Sequence, residues 1–78
     1  MSIDLSAFRL MVDERCEAEK AYPAFTNLHE AYAVILEELD ECWDHIKQKD
    51  PDIEALKVEF AQVGAMVSKA IELCERLK

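Results

Sequence analysis

The sequence contains very little glycine and proline, few basic residues and no long apolar run. Of its 78 residues, one is glycine and two are proline, a composition that excludes collagen-like and flexible-linker chains. Nine Lys and Arg residues stand against 17 Asp and Glu residues, so the formal net charge is -8. A chain with this charge lacks the basic surface that binds the phosphates of a nucleic-acid polymer.

The apolar residues are dispersed rather than gathered into one segment. The longest uninterrupted apolar stretches are only a few residues, too short for a transmembrane span, and the N-terminus MSIDLSAF lacks the pattern of a signal peptide. We therefore expect no membrane association and a cytoplasmic location. The three cysteines, Cys16, Cys42 and Cys74, show neither CxxC nor Cys/His zinc spacing. This odd set predicts reduced structural thiols.

What the chain does have is abundant apolar surface. Hydrophobic residues make up 51% of the sequence and charged residues 33%, so the chain should fold, as a single domain over residues 1–78. A domain of this size buries barely enough apolar surface to offset its chain entropy. The sequence therefore predicts association, as a homodimer or a homotetramer.

Helical periodicity and two interruptions divide the chain into three helices, at about residues 3–21, 27–48 and 51–77. The interruptions are Tyr22-Pro23 and the segment 49–52. Thr26 or Asn27 is the predicted cap of the second helix, with Glu30 three residues after Asn27 as in a capping box, and Asp50 is the predicted cap of the third helix. The fold class is all-α, a three-helix chain whose last two helices form an antiparallel hairpin that assembles into a helical bundle oligomer.

Apolar residues at helical spacing predict which face each helix buries. On the first helix they are Leu5, Phe8, Val12 and Cys16. On the second they are Leu28, Tyr32, Ile35, Leu39, Cys42 and Ile46. On the third they are Ile53, Leu56, Phe60, Val63, Val67, Ala70, Cys74 and Leu77. We call these three rows the predicted seams.

The second helix also carries the acidic run EELDE at residues 37–41. At about 100 degrees per residue, Glu38 and Glu41 lie on one flank of its predicted seam, and Glu59 and Gln62 lie on the matching flank of the third helix. In an antiparallel hairpin these two flanks can face each other across one groove. Carboxylate oxygens are the ligands that Mg²⁺ prefers, so the spacing predicts a metal site, with a solvated acidic helix face as the alternative.

The same residues carry a resemblance to a known family. Glu37-Glu38-x-x-Glu41, followed after 17 intervening residues by Glu59-x-x-Gln62, resembles the EExxE...ExxD pattern of the MazG-like, all-α nucleoside triphosphate pyrophosphohydrolases, a family that includes dimeric dUTPases. The likeness runs from Leu28 to about Leu73. It departs from the pattern at Gln62, where the family has an acid. An amide supplies one neutral oxygen as a ligand and no charge.

The resemblance implies a site and a reaction. Glu38, Glu41 and Glu59 would hold Mg²⁺, or Mn²⁺ as the alternative ion, with Gln62 at the fourth metal position. Glu37 and Glu38 would be the catalytic carboxylates, with Glu37 as a further ligand or as the base that orients water. The implied reaction converts an NTP or dNTP to its monophosphate and pyrophosphate.

Three further residues are candidates for nucleotide binding, each with an ordinary alternative. Lys69 could contact phosphate or be plain surface charge. His45 could join the site or interact with the dipole at the C-terminal end of its helix. Trp43 could stack on a base or anchor a core or an interface.

Three functions follow from these patterns. The first is a Mg-dependent nucleotide pyrophosphohydrolase. The second is a non-catalytic oligomer of the same fold that binds or sequesters nucleotides, which the Gln62 departure favours. The third is a helical protein-interaction module whose acids only solubilise it.

Overall fold

The computed structural model describes residues 2–78, and the part of the chain it describes contains three α-helices and no strand. The helices are α1 (Leu5–Ala21), α2 (Leu28–Ile46) and α3 (Ile53–Arg76). The predicted all-α class and the number of helices are therefore confirmed. Each helix begins or ends within two residues of its predicted bound. No helix in residues 2–78 combines the length and the apolar character needed to cross a bilayer.

The start of α2 follows from its local sequence. The Asn27 side chain accepts a hydrogen bond from the Glu30 backbone N–H at 2.8 Å. The Glu30 carboxylate reaches back and accepts from the Thr26 backbone N–H at 3.2 Å, one residue earlier than a capping box places it. Two backbone donors that would otherwise lack partners are thus satisfied by two side chains.

The cap of α3 is Asp52, so the prediction of Asp50 was wrong. The Asp52 side chain accepts from the Ala55 backbone N–H at 3.1 Å, and Asp52 has the extended backbone of a cap. Asp50 and Asp52 offer the same chemistry on either side of Pro51. Sequence preference alone does not separate two equivalent caps two residues apart.

The helix α3 is central, because α1 and α2 both pack against it. Within residues 2–78, no Cα atom of α1 lies within 8 Å of a Cα atom of α2. The described residues include few buried apolar side chains for a domain of this size. They are Phe25, Ala31, Cys42, Ala61, Ala65, Met66 and Leu73.

The buried face of α2 differs from its predicted seam. Ala31 and Cys42 are buried and Ile35 is half-buried, whereas Tyr32 and Leu39 of the same seam are exposed. The small side chains of Ala31 and Cys42 allow α2 to approach α3 closely. The structure therefore rotates α2 so that part of its apolar surface faces outward.

The same correction applies to α1. Phe8 and Val12 of its predicted seam are exposed, whereas Met11 and Ala18 are half-buried toward α3. A Cβ atom added to Gly64 would lie 2.9 Å from Met11 Cγ, so the only glycine of the chain lets α1 and α3 come together.

A polar network also holds α1 against α3. Arg15 donates two hydrogen bonds of 2.7 Å to the Glu72 carboxylate, and one of 2.7 Å to Ser68 Oγ. It also donates to Glu19 on its own helix at 2.7 Å. The planar guanidinium suits this paired geometry, which fixes the register of α1 along α3.

Two basic side chains of α3 donate hydrogen bonds to the connection between α1 and α2. Lys69 Nζ donates to the Pro23 carbonyl at 3.0 Å and lies 4.4 Å from the centre of the Phe25 ring. Arg76 donates to the Phe25 carbonyl at 3.0 Å. Because Phe25 is itself buried, this connection forms part of the core rather than a loose loop.

Candidate metal centre

Three carboxylates of α2 and α3 meet at the contact between the two helices. Glu38 and Glu41 lie three residues apart on α2, and Glu59 comes from α3. Each offers one carboxylate oxygen, and the three oxygens lie within 4.8 Å of one another. We call Glu38, Glu41 and Glu59 the acid cluster.

The acid cluster is electrostatically strained. Burial, and then the neighbouring charges of Glu41 and Glu59, raise the pKa of Glu38 from 4.5 to about 7. The pKa of Glu59 is also raised, first by burial and then by its hydrogen bond to Glu41 and the charge of Glu41. Two carboxyl groups that resist ionisation beside a third carboxylate form a site that a cation would stabilise.

Gln62 lies one helical turn beyond Glu59 and contacts the acid cluster through its side-chain amide. With its nitrogen toward α1, the amide donates to Glu14 Oε2 at 3.5 Å. With the amide rotated so that its oxygen and nitrogen exchange places, it donates to Glu38 Oε2 at 3.3 Å and to Glu59 Oε2 at 3.1 Å. We favour the second orientation, because it gives the crowded carboxylates a donor. A cation in the cluster would instead attract the amide oxygen.

His45 and Cys42 complete the surroundings of the acid cluster. His45 Nε2 lies 3.9 Å from Glu59 Oε1, and a positive charge on this ring would stabilise the ionised carboxylate. Cys42 is buried beneath the cluster, and burial together with the charges of Glu59 and Glu38 raises the pKa of its thiol. Cys42 is therefore a neutral packing residue rather than a thiolate ligand.

The donor set fits a hard divalent cation. Three carboxylate oxygens and one amide oxygen are the ligand types of Mg²⁺ and Mn²⁺, which complete their coordination with water or phosphate oxygens. The side chains of Glu38 and Glu59 are both half-buried, so helix packing holds them in place. Burial, and then the like charges at this position, raise the pKa values of Glu38 and Glu59, and a cation held there would offset the repulsion between those charges.

A groove of about 640 Å³ opens beside the acid cluster, between α1 and α2. It exists because these two helices pack on α3 with no pair of their Cα atoms within 8 Å. Val34, Ala65 and Met66 form its apolar floor, and Glu38 and Gln62 line it where it reaches the acid cluster. A ligand in the groove would therefore lie against both an apolar surface and the candidate metal ligands.

The charges around the groove are mostly negative. Five carboxylates line it, from Glu14, Glu17, Glu30, Glu37 and Glu38, and Lys69 is its one basic lining residue. An anionic ligand would be repelled by this lining unless cations neutralised it. The groove alone is thus suited to a metal complex rather than to a free anion.

The other predicted site residues have different positions. Glu37 is exposed and lines the groove. Lys69 also lines it, with only 4% of its surface exposed and one hydrogen bond to a backbone carbonyl. Trp43 is 57% exposed and is not among the residues that line the groove. The structure therefore brings Glu37 and Lys69 to the site and leaves Trp43 away from it.

Glu14 was not predicted as a site residue, yet it lines the groove from α1. One signal could have indicated it. Glu14 lies four residues from both Leu10 and Ala18, which are half-buried, so the three share one helix face. Choosing the Phe8 and Val12 face of α1 as buried concealed this position.

Comparisons with known proteins find no matching family model, no similar curated protein and no similar solved structure.

Proposed function

We propose that this protein is a Mg-dependent nucleotide pyrophosphohydrolase that converts an NTP or dNTP to its monophosphate and pyrophosphate, with Mn²⁺ as an alternative ion. The observation that carries the proposal is the meeting of Glu38, Glu41 and Glu59 within 4.8 Å at the end of a groove. The resemblance of these residues to the EExxE...ExxD pattern supports the reaction type.

Each acidic side chain has a role in the proposal. Glu38, Glu41 and Glu59 hold the cation, and Gln62 turns its amide oxygen toward it. When bound, the cation would neutralise the phosphates and increase the electrophilicity of the α-phosphorus. Glu37 lies on α2 next to Glu38 and lines the groove, where its carboxylate can hold a water molecule by accepting a hydrogen bond from it.

The proposed reaction is a hydrolysis at the α-phosphorus. The oxygen of water bonds to the α-phosphorus, and the bond between that phosphorus and the oxygen bridging to the β-phosphorus breaks. Pyrophosphate leaves with the bridging oxygen, and the Glu37 carboxylate takes the proton of the attacking water. The apolar floor formed by Val34, Ala65 and Met66 receives the base or sugar.

The lining charges make a specific demand on binding. Five carboxylates and one lysine line the groove, so a triphosphate should not bind without a divalent cation. Lys69 can still donate to a phosphate oxygen, because an ammonium has three N–H groups and only one bonds to Pro23.

A second candidate function keeps the site without the chemistry. Gln62 stands where the resembled pattern has an acid, and it can stabilise the carboxylates by donating to Glu38 and Glu59. A site with one ligand charge fewer holds its cation more weakly. The protein would then bind or sequester nucleotides without hydrolysing them.

The proposal includes the arrangement of α2 and α3 as an antiparallel hairpin. His45 near the end of α2 lies beside Glu59 near the start of α3, and Gln62 reaches back to Glu38. These pairs run in opposite order along the two helices, which supports the antiparallel arrangement and explains how acids distant in sequence come together.

A panel of NTPs and dNTPs with MgCl₂ tests the proposal. Anion-exchange chromatography measures monophosphate and pyrophosphate, and reaction in ¹⁸O-labelled water identifies the phosphorus that is attacked. The informative variant is Glu38→Gln, which removes the charge with little change in volume. Asp40→Asn is its matched control, because Asp40 is an exposed acid on the same turn of α2.

The outcomes separate the candidate functions. Turnover with ¹⁸O in the monophosphate, lost in Glu38→Gln and kept in Asp40→Asn, supports the hydrolase. Mg-dependent retention of nucleotide without turnover supports the binding protein. If neither binding nor turnover occurs with any nucleotide, both proposals are wrong and the helical interaction module is left.

A further inference from the structure

One side of the α2 and α3 pair is covered by apolar side chains that nothing in the described chain buries. They are Leu28, Tyr32, Leu39, Trp43 and Ile46 of α2, and Ile53, Phe60, Val67 and Ile71 of α3. We call these nine residues the outer face. They are large side chains, and Tyr32 is 69% exposed and Phe60 is 49% exposed. Such a patch marks an interaction surface in a folded protein.

The outer face is separate from the acid cluster and the groove. On α2, at about 100 degrees per residue, the outer residues lie roughly a quarter turn from Ala31 and Cys42, which face α3. Glu30 and Glu37, which line the groove, lie on the other side of that buried row. The helix therefore presents its acids to the groove and its apolar row away from it.

The two halves of the outer face belong to one surface. On α3, Phe60, Val67 and Ile71 lie roughly a third of a turn from Met66, in the same angular direction as the outer residues of α2. In two adjacent antiparallel helices, the same direction of rotation from the contact leads to the same side of the pair. The apolar rows of α2 and α3 are thus adjacent and continuous.

We propose that the outer face binds a second copy of this chain, pairing α2 and α3 of each copy into a four-helix layer with two-fold symmetry. The exposed fractions of its nine side chains correspond to about 900 Å² per copy, which matches the roughly 800 Å² that each partner contributes to a stable interface. A self-complementary apolar surface is what a two-fold contact requires.

The exposed row of α1 is the competing surface. Leu5, Phe8 and Val12 are exposed on it, but they provide only about 350 Å², too little for a stable interface. The outer face is more than twice as large and extends over two helices. A second copy also supplies the additional burial that a 78-residue chain needs.

The pairing leaves both acid clusters accessible. Because the groove lies on the opposite side of the α2 and α3 pair, the two sites of the dimer point outward and each is built from one copy. Association therefore does not depend on the proposed nucleotide chemistry. It is measured without metal or nucleotide, so either proposal can fail without the other.

Light scattering after size-exclusion chromatography in EDTA tests this proposal across a dilution series. The expected mass is twice the chain mass of 9.0 kDa. Phe60→Glu, in the middle of the α3 row, should reduce it to the mass of one chain. Tyr22→Glu is the matched control, because Tyr22 is an aromatic residue with an exposed fraction of 65% that lines the groove, on the other side of the pair. Its mass should stay doubled.

Fluorescence gives a second measurement that does not rely on a charged substitution. Trp43 is the only tryptophan of the chain and belongs to the outer face. Its emission should lie at shorter wavelength in the dimer and shift to longer wavelength on dilution. Far-ultraviolet circular dichroism checks that Phe60→Glu remains helical, and Tyr32→Glu on the α2 row replaces it if it does not.

A wild-type protein with the mass of one chain at every concentration would overturn the proposal. So would a doubled mass that survives both Phe60→Glu and Tyr32→Glu, or one that Tyr22→Glu alone abolishes. The contact would lie elsewhere if Trp43 emission stayed unchanged over the concentrations at which the mass falls. That result would also overturn the proposal.

Discussion

In the metal-free protein, folding disfavours the ionised form of Glu38, so the free energy of unfolding should fall as the pH rises. The unfolded chain ionises this carboxyl near pH 4.5, whereas the folded protein holds its proton up to about pH 7. The folded state therefore binds more protons between these values, and the free energy of unfolding must decrease with rising pH in that window. Glu38→Gln cannot ionise, so it should remove this part of the dependence.

The magnitude follows from the two pKa values. The interval from 4.5 to about 7 corresponds to about 3 kcal/mol of destabilisation once Glu38 is fully ionised. Solvent screening of a partly exposed side chain reduces this to about 2 kcal/mol. Glu59 has a raised pKa and adds to the same trend. Glu72 has a lowered pKa through its hydrogen bond with Arg15, and its opposite effect falls below the window, at more acidic pH.

Urea unfolding followed by circular dichroism, at fixed protein concentration in EDTA, measures this dependence. Between about pH 5 and pH 8 the wild type should lose about 2 kcal/mol or somewhat more, and Glu38→Gln should lose far less. Asp40→Asn should retain the wild-type slope. Adding MgCl₂ at the higher pH should restore the wild type but not Glu38→Gln. The reasoning is refuted if Glu38→Gln retains the wild-type slope or destabilises the protein at pH 8.

Three further substitutions test other contacts. Gln62→Asp should bind Mg²⁺ roughly tenfold more tightly in calorimetric titration, which is about 1.4 kcal/mol of binding free energy. In EDTA the same change should lower the melting temperature, because it removes a hydrogen-bond donor and adds a negative charge. An unchanged affinity would show that this position does not reach the cation. Gly64→Ala should destabilise the fold by about 1 kcal/mol, because overpacking against Met11 exceeds the gain in helix propensity. In a Met11→Ala background the same change should stabilise by about 1 kcal/mol in urea unfolding, and equal effects in both backgrounds would contradict the close approach. Lys69→Met should lower the free energy of unfolding by about 2 kcal/mol and speed hydrogen exchange in residues 22–27, because the Pro23 carbonyl loses its donor. Unchanged exchange would show that this hydrogen bond does not hold the connection between α1 and α2.

The helices were predictable because their signals are local. Asn27 and Glu30 lie three residues apart, and their hydrogen bonds form within one turn wherever the rest of the chain lies. Pro23 ends the first helical segment through its own ring geometry. The choice between Asp50 and Asp52 failed for a complementary reason, because both satisfy the same local rule.

The buried faces were not predictable from periodicity alone. A row of apolar residues such as Tyr32 and Leu39 shows that a helix has an apolar side, but not whether that side packs within the chain or against another molecule. Small residues decided the packing of α2, since Ala31 and Cys42 permit a closer approach to α3 than the large side chains do. Residue spacing does not contain this information.

More of the acid cluster than of the groove could be predicted from the sequence. The angular positions of Glu38, Glu41 and Glu59 follow from helix geometry, and the structure brings these three side chains together. The groove depends on where α1 crosses α3, which Gly64 and Arg15 set through contacts between residues distant in sequence. No periodic pattern reports such contacts.

The orientation of α2 links the two proposals. Rotating this helix by roughly a quarter turn would bury Tyr32 and Leu39 against α3 and return Glu38 to solvent. For an isolated chain without a ligand, that exchange would favour stability, because it hides apolar surface and hydrates a carboxylate. The observed orientation does the opposite on both counts. A cation held by Glu38 would compensate for the buried acid, and a second copy over Tyr32 and Leu39 would compensate for the exposed apolar row. Each proposal thus explains one half of the same rotation, and together they account for why α2 presents its acids inward.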